Sequence, residues 1–395
     1  MIEGADSLRR RPKAVLVRGD FLCARNTQYY APLTDRYDLL GVSVRRTEHD
    51  LSLLKFPYVA LWSVDSVLAA LPPLQKAMDR LFRLRSENLM HIWGLERACR
   101  GAAIIDVAES FHPYCLQAVR IKKASGAKLV VRHYENIPFA HENLAFRRFV
   151  KREVFRNADA VLPCCEMGKK ALELEGVHSE KIRVIPMGID VNLYAPRPKC
   201  DRLMRDLEIA PDDFVVLYAG RLVWEKGVYQ LADAAAVLRS TPRLKVIMAG
   251  CGPEEDGLRV RLSRSGADGA VRLIGKVQPS SMPDLLSVAD VVAVPSIATR
   301  KWQEQFGAIL IEAMACGRPV VAGDSGAIPE VVGDAGVLVR QGDFVALSDA
   351  VRGLYDNPEL RAEIGGRGAA RARRLYANEV VAGQIAEVYE GLLSP

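Results

Sequence analysis

The chain lacks any uninterrupted run of eighteen apolar, uncharged residues. Its best stretch, Leu51 to Leu74, is broken by Lys55, Asp65 and three prolines, so a membrane-crossing helix is not expected. The basic residues between Met1 and Lys13 precede only the short run Ala14 to Val17, which is too little for a signal-peptide core. The eight cysteines show no Cys-x-x-Cys spacing and the chain has no Asn-x-Ser/Thr sequon; both point to reduced thiols in a cytoplasmic protein. Adjacent Cys164 and Cys165 read as buried packing, because neighbouring residues do not readily reach disulfide geometry. Gly-x-x-x-x-Gly-Lys-Ser/Thr is absent, which excludes a P-loop kinase. Gly19-Asp20-Phe21-Leu22 follows the first strand where a dinucleotide enzyme carries its glycine fingerprint, so a nicotinamide oxidoreductase fits poorly. No reading motif accompanies the basic residues, and nucleic acid is not expected as a partner.

What is present is a globular composition, 49% hydrophobic and 26% charged over 395 residues, too long for a single core; two domains are the default. The formal charge of +6 is unevenly divided. The first 200 residues carry 32 Lys and Arg against 22 Asp and Glu, and the remainder 22 against 26. Basic side chains gather at Lys76, Arg80, Arg83 and Arg85, and at Arg147, Arg148, Lys151, Arg152 and Arg156 interleaved with Phe146, Phe149, Val150, Val154 and Phe155. The second stripe suits an anionic membrane surface. It suits a solvated helix face over an ordinary core equally well.

Strands and helices alternate twice. The first half has candidate strands at Lys13 to Val17, Leu40 to Val44, Ala103 to Val107, Lys128 to Arg132, Ala160 to Pro163 and Arg183 to Pro186. The second has them at Phe214 to Ala219, Leu244 to Ala249, Val271 to Ile274, Val291 to Pro295, Pro319 to Ala322 and Val337 to Val339. This alternation predicts parallel, doubly wound sheets covered by helices on both faces. It divides the chain into domains at 1–190 and 214–376, a Pro- and Asp-rich linker at 191–213, and a terminal helix at 377–395. Ligands of such sheets lie beyond the carboxyl ends of the strands, here in a cleft between the domains.

Chemistry-bearing residues collect at those ends. Glu304 and Glu312 flank Gln305-Phe306-Gly307-Ala308-Ile309-Leu310-Ile311, read as a loop turning into an apolar helix near Phe306. On a helix, eight steps bring the second carboxylate within roughly 80° of the first, about 12 Å further along the axis. Both then address one elongated polyol, with any phosphate over the helix N-terminus. Two glutamates at this spacing also occur on solvated helix faces, but Glu312 lies in a mostly apolar stretch and needs a partner. Arg221 and Lys226, after the strand Phe214 to Ala219, offer a planar fork and a point charge to a diphosphate; exposed cations are also ordinary in strand-to-helix loops. Gly250-Cys251-Gly252-Pro253 reads as a close-approach loop or a simple turn. Ser296 and Gln303 complete the edge.

Taken together, Gly220-Arg221 with Lys226-Gly227, Gly250-Cys251-Gly252-Pro253, Pro295-Ser296, the block from Glu304 to Glu312 and Ala313-Met314-Ala315-Cys316-Gly317-Arg318-Pro319-Val320-Val321 resemble the retaining GT-B glycosyltransferases of family 4. The likeness covers the second half and reaches back to Lys181-Ile182-Arg183-Val184-Ile185-Pro186-Met187-Gly188-Ile189-Asp190. It implies two Rossmann-like domains and a nucleoside diphosphate sugar donor, with no cofactor and no metal. Arg221 and Lys226 would hold the diphosphate; Glu304 would bind sugar hydroxyls, helped by the backbone of Gln305, Phe306, Gly307 and Ala308; and Glu312 would bind the ribose. Gly250, Gly252, Pro253 and Ser296 would line the donor, Gly19 would approach its phosphates and His133 its sugar. Tyr134, Glu135, Asn136, Glu109 and His112 are acceptor candidates, and Glu379 to Leu392 is the helix that returns to the first domain. The absence of Asp-x-Asp argues against the metal-diphosphate site of the other common transferase fold. The resemblance implies a retaining enzyme with a sugar or lipid-linked acceptor, in cell-envelope, capsular or exopolysaccharide or glycolipid synthesis, cytoplasmic or peripheral on the inner membrane face. A GT-B epimerase, a glycogen-synthase-like polymerase and a non-catalytic sugar-nucleotide-binding subunit are the rival readings.

Overall fold

Val, Ile, Leu and Ala run almost unbroken through short segments bounded by Gly, Pro and Asp, a pattern that a strand buried on both faces requires. The computed structural model describes residues 11–394 apart from 46, 48 and 72–89; the basic cluster Lys76, Arg80, Arg83 and Arg85 lies outside the described residues. The first domain contains β1 (Lys13–Gly19), β2 (Asp38–Val44), β3 (Tyr58–Leu61), β4 (Ala102–Ala108), β5 (Lys128–His133) and β6 (Ala160–Pro163). The second contains β7 (Phe214–Ala219), β8 (Leu244–Ala249), β9 (Val271–Gly275), β10 (Val291–Val294), β11 (Val320–Gly323) and β12 (Gly336–Val339).

The strands form two six-stranded sheets ordered β3-β2-β1-β4-β5-β6 and β12-β11-β10-β7-β8-β9, with parallel pairs throughout. Each order reverses once, between β1 and β4 and between β7 and β10. In doubly wound sheets the loops leaving the strands diverge at such points, which is where ligands bind.

Two segments depart from the sequence expectation. Arg183 to Pro186 forms no strand. Arg183 and Ile185 donate backbone N–H to Val161 and Pro163 of β6, but Pro163 and Pro186 supply no donor of their own, so the ladder does not develop. Tyr58–Leu61 instead pairs with β2 as the sheet edge. The expected linker at 191–213 includes a helix, Asp201–Asp206, and sends Tyr194, Met204 and Ile209 into the second domain's core.

The chain crosses between domains at two adjacent points. Ile189 N donates to Tyr376 O at 2.7 Å, and Asn378 N to Ile189 O at 3.0 Å. Beyond this junction the last helix, Asn378–Leu393, buries Val381, Ala382, Ile385, Ala386 and Tyr389 against Ala14, Leu16 and Tyr30 of the first domain. A buried polar hub pins it. Arg18 donates to Asp106 Oδ1 at 2.8 Å and to the Asp106 carbonyl at 2.7 Å, while Tyr30 and Tyr389 donate to Oδ2 at 3.0 and 2.6 Å. Burial works against the Arg18 guanidinium and Asp106 more than offsets it, so Arg18 remains cationic. Asp106→Asn leaves that cation unpaired in the interior and is expected to lose about 3–5 kcal/mol of stability. Tyr389→Phe loses only about 1 kcal/mol. Denaturant unfolding of the two variants measures the contrast.

Candidate active site at the domain seam

Arg221 and Lys226 follow β7 and Ser296 and Glu304 follow β10, which places these four residues at the second sheet's switch point. The loop after β7 makes one 3-10 turn, Trp224–Lys226, and ends at Gly227 with φ +70°. A Cβ there would lie 1.9 Å from the Pro295 carbonyl oxygen, so only glycine lets the two loops meet. Their contact brings Lys226 Nζ to 2.7 Å from Glu304 Oε2. Ser296 Oγ donates to the same oxygen at 2.9 Å, and Lys226 lies 5.0 Å from the centre of the Trp302 ring. Glu304, only 6% exposed, is thus held by a cation and a hydroxyl at one end of its carboxylate. Arg221 is exposed on the same loop.

Gly250 and Gly252 are needed for contact between loops. Cβ atoms on them would lie 1.8 Å from Gly220 O and 2.2 Å from Leu222 O, and Leu222 N donates to Cys251 O at 2.9 Å. The Gly250-to-Pro253 turn therefore backs the Arg221 loop. Gly326, which the motif reading missed, does the same for Glu304: its Cβ would meet the Glu304 carbonyl at 2.2 Å. A glycine just after β11 was the available signal.

The helix expected from Phe306 begins two residues later and spans Ala308–Ala315, with Gly307 at φ +78° and no side-chain cap. Its first-turn N–H groups have no side-chain acceptor there. Glu304 lies outside the helix, so the two carboxylates are not related by helical advance; Gly307 interrupts the path. Phe306 turns its ring into the core, edge-on to Tyr376, and contributes only its backbone to the loop. Glu312 is on the helix and 2% exposed. Its partner is Arg25 of the first domain, whose Nε donates to Oε1 at 2.8 Å; Glu312 Oε2 has no hydrogen-bond partner among the described residues. Burial depresses the Arg25 pKa and Glu312 more than restores it. No motif pointed to Arg25.

Other first-domain residues close onto the Glu304 loop. Asn136 Nδ2 donates to Glu304 O at 2.9 Å, Gln303 Nε2 to Asn136 O at 3.1 Å, and Gln305 Nε2 to Glu135 Oε2 at 3.3 Å. Cys164 Sγ faces Gln305 O at 3.5 Å, and all eight cysteines are free thiols. His133, at the end of β5, is buried with Nδ1 3.3 Å from Glu109 Oε2, and Glu109 adopts φ +62° to reach it. Gly19 ends β1 at φ +55°, where a Cβ would lie 2.8 Å from Met90 Sδ. His112 is buried between the rings of Phe111 and Tyr114. The largest cavity described is about 690 Å³, beside Lys13 and Tyr37 and away from the seam; the candidate site residues lie in the seam.

Two doubly wound sheets that turn their switch points toward a shared seam define a GT-B protein with two Rossmann-like domains. The family described as "Glycosyl transferases group 1" matches residues 200–371, and "Glycosyl transferase 4-like domain" matches residues 20–188; the chain belongs to this group 1, family 4 set of glycosyltransferases. It is 28% identical over 299 residues to an alpha-D-kanosaminyltransferase of Streptomyces kanamyceticus, covering 71% of this chain and 74% of that protein. It is 34% identical over 222 residues to a phosphatidyl-myo-inositol mannosyltransferase of Mycobacterium leprae, covering 55% of each, so the chain spans about half of that relative's length. Among solved structures, Anabaena HepE in complex with UDP shares the fold with a TM-score of 0.74 at 22% identity, over 96% of this chain and 100% of that one.

Glu135 supplies a pH-dependent part of the seam. Burial raises its pKa, but His141 and the Ile137 and Asn136 N–H groups outweigh burial and leave it below the ordinary value. A depressed carboxylate stabilises the fold above the ordinary glutamate pKa of about 4.3, and that contribution is lost as pH falls below it. Denaturant titrations at descending pH should therefore show wild type more stable than Glu135→Gln near neutrality, with the two curves converging in acid.

Proposed function

We propose that the protein is a retaining glycosyltransferase that moves a sugar from a nucleoside diphosphate sugar to a hydroxyl acceptor. The proposed setting is cell-envelope, capsular or exopolysaccharide or glycolipid assembly at the inner membrane face. The observation that carries this reading is the Lys226–Glu304–Ser296 cluster at the sheet's switch point, with the uncapped helix at Gly307 beside it. A diphosphate between Arg221 and Lys226 competes with Glu304 for the Lys226 ammonium. Glu304 then keeps the Ser296 hydroxyl and turns its remaining acceptor capacity to sugar hydroxyls, with the backbone of Gln305 to Ala308 adding donors. Glu312, with one oxygen already fixed by Arg25, offers the other to a ribose hydroxyl. Gly19 and His133, at the ends of β1 and β5, are proposed to approach the donor phosphates and sugar from the first domain.

In the proposed reaction the bond from the anomeric carbon to the diphosphate oxygen breaks. The acceptor oxygen attaches to the same face, and its proton passes to the departing phosphate. Arg221, Lys226 and helix N–H groups meet the charge as it develops, so the reaction is proposed to need neither a cofactor nor a divalent ion.

Lys226→Ala and Glu304→Ala should fold as wild type by circular dichroism and lose transfer by about 10²–10³-fold. A panel of uridine, guanosine and adenosine diphosphate sugars, read by thermal stabilisation and slow hydrolysis, identifies the donor. An active Lys226→Ala protein overturns the assigned role; donor binding with neither hydrolysis nor transfer returns the reading to a binding subunit.

A further inference from the structure

The first domain carries a second feature that the transfer reaction does not use. The helix Ala145–Asn157 buries Val150, Val154 and Phe155, as its period requires. Its outward face nevertheless carries Phe146 and Phe149, 50% and 55% exposed, and Phe139 in the preceding loop is 56% exposed. Three large rings left about half exposed in this helix and the loop before it are more than a purely solvated helix needs. Arg148, Arg152 and Arg156 are exposed on the same helix.

Phe139 is held out by its surroundings. Its φ is +60°, an unfavourable conformation for a bulky residue, and its backbone N–H donates to Glu175 Oε1 at 2.6 Å. Glu175 also pairs with Lys151 at 2.8 Å, with side chains only 4% and 2% exposed. A buried ion pair thus fixes the strained loop that displays the ring. Directly beneath lies an open cavity of about 550 Å³, lined by Phe139, Arg148, Arg152, Arg156 and Lys181 among others; its walls bring five Lys and Arg side chains against two carboxylates, Glu142 and Glu175. Glu142 and, on the helix itself, Glu153 engage Arg148 and Arg156, while Arg152 has no ion-pair partner among the described residues.

We propose that this face docks on an anionic phospholipid bilayer, with the three phenylalanines entering the acyl boundary and a lipid phosphate seated in the basic cavity. Exposed aromatic rings and guanidinium groups on one helix are the composition of an interfacial helix, and no described helix is long and apolar enough to cross a membrane. Phe139 follows by three residues Asn136, the residue that bonds the Glu304 loop, so docking brings the mouth of the seam to the lipid surface. The inference deepens the membrane association proposed above by assigning it a surface.

Co-sedimentation with phosphatidylcholine vesicles, with and without phosphatidylglycerol, tests it. Wild type is expected to sediment with the mixed vesicles only, and to be released by salt. Arg148→Glu/Arg152→Glu should lower partition more than about tenfold, and Phe139→Ser/Phe146→Ser/Phe149→Ser should abolish it, with circular dichroism and transfer to a water-soluble acceptor unchanged in both. Equal binding to neutral vesicles, no binding of wild type, undiminished binding of either variant, or selective capture by nucleic acid or an acidic protein instead of vesicles overturns the proposal. Vesicle binding is read without turnover, so its failure and that of the transferase reading are separable.

Discussion

Glu304 is a carboxylate placed where two sheets and two domains meet, and a group in that position has to be satisfied from every side. Its side chain takes the Lys226 ammonium and the Ser296 hydroxyl; its carbonyl takes the Ala327 N–H from its own domain and Asn136 from the other. Two glycines without room for a Cβ, Gly227 and Gly326, make these approaches sterically possible. The approach of these loops and one contact from the first domain thus converge on Glu304.

Near the chemistry the domains are joined by polar contacts and by Cys164 and Cys165 packing in one cluster with Phe306, and away from it by the apolar burial of the terminal helix. Asn136, Gln303, Gln305 and Glu135 meet through a few hydrogen bonds, each worth little net against water, whereas the terminal helix is sealed by a hydrophobic face and the Arg18–Asp106 hub. This division sets the mechanics. The junction at Ile189 and Asn378 is held by backbone hydrogen bonds, while the polar contacts over the site are of the kind that a competing ligand exchanges at small cost. Arg25–Glu312 belongs to the exchangeable set only in part, because Glu312 is deeply buried and its second oxygen still lacks a hydrogen-bond partner among the described residues.

The sheets were the most legible part of the chain. Doubly buried parallel strands appear as apolar runs, and β6, β7 and β8 fall on the residues expected of them. The failures have local causes. β3 is a four-residue edge strand, Tyr58-Val59-Ala60-Leu61, with one exposed and three half-buried residues; its apolar run is short and lies inside the longer stretch Leu51 to Leu74, where it does not stand out. Arg183 to Pro186 has the apolar run but lacks the donors. At the site, motifs located residues on their own loops, because strand ends and glycines fix those loops locally. They could not reveal Arg25, which lies 287 positions from Glu312 and acquires meaning only when the domains meet. The eight-residue spacing of Glu304 and Glu312 was read through helical geometry, but Gly307 turns the chain before the helix starts.

The Lys226–Glu304 pair also bears on how binding and closure are linked. Lys226 is 20% exposed and Glu304 8% exposed at the side chain, so the cation is the partner that can be reached from the seam. In the proposed reaction an arriving diphosphate would exchange one counter-ion of Lys226 for another, which avoids stripping a fully solvated ammonium. The same event would free carboxylate lone pairs that need other donors, such as sugar hydroxyls. A diphosphate without a polyol would leave Glu304 short of donors, and a polyol without a diphosphate would leave Lys226 engaged. The cluster therefore favours a ligand that carries both groups on one molecule, and because Glu304 is also bonded to Asn136, satisfying the pair and holding the first domain in place draw on the same loop.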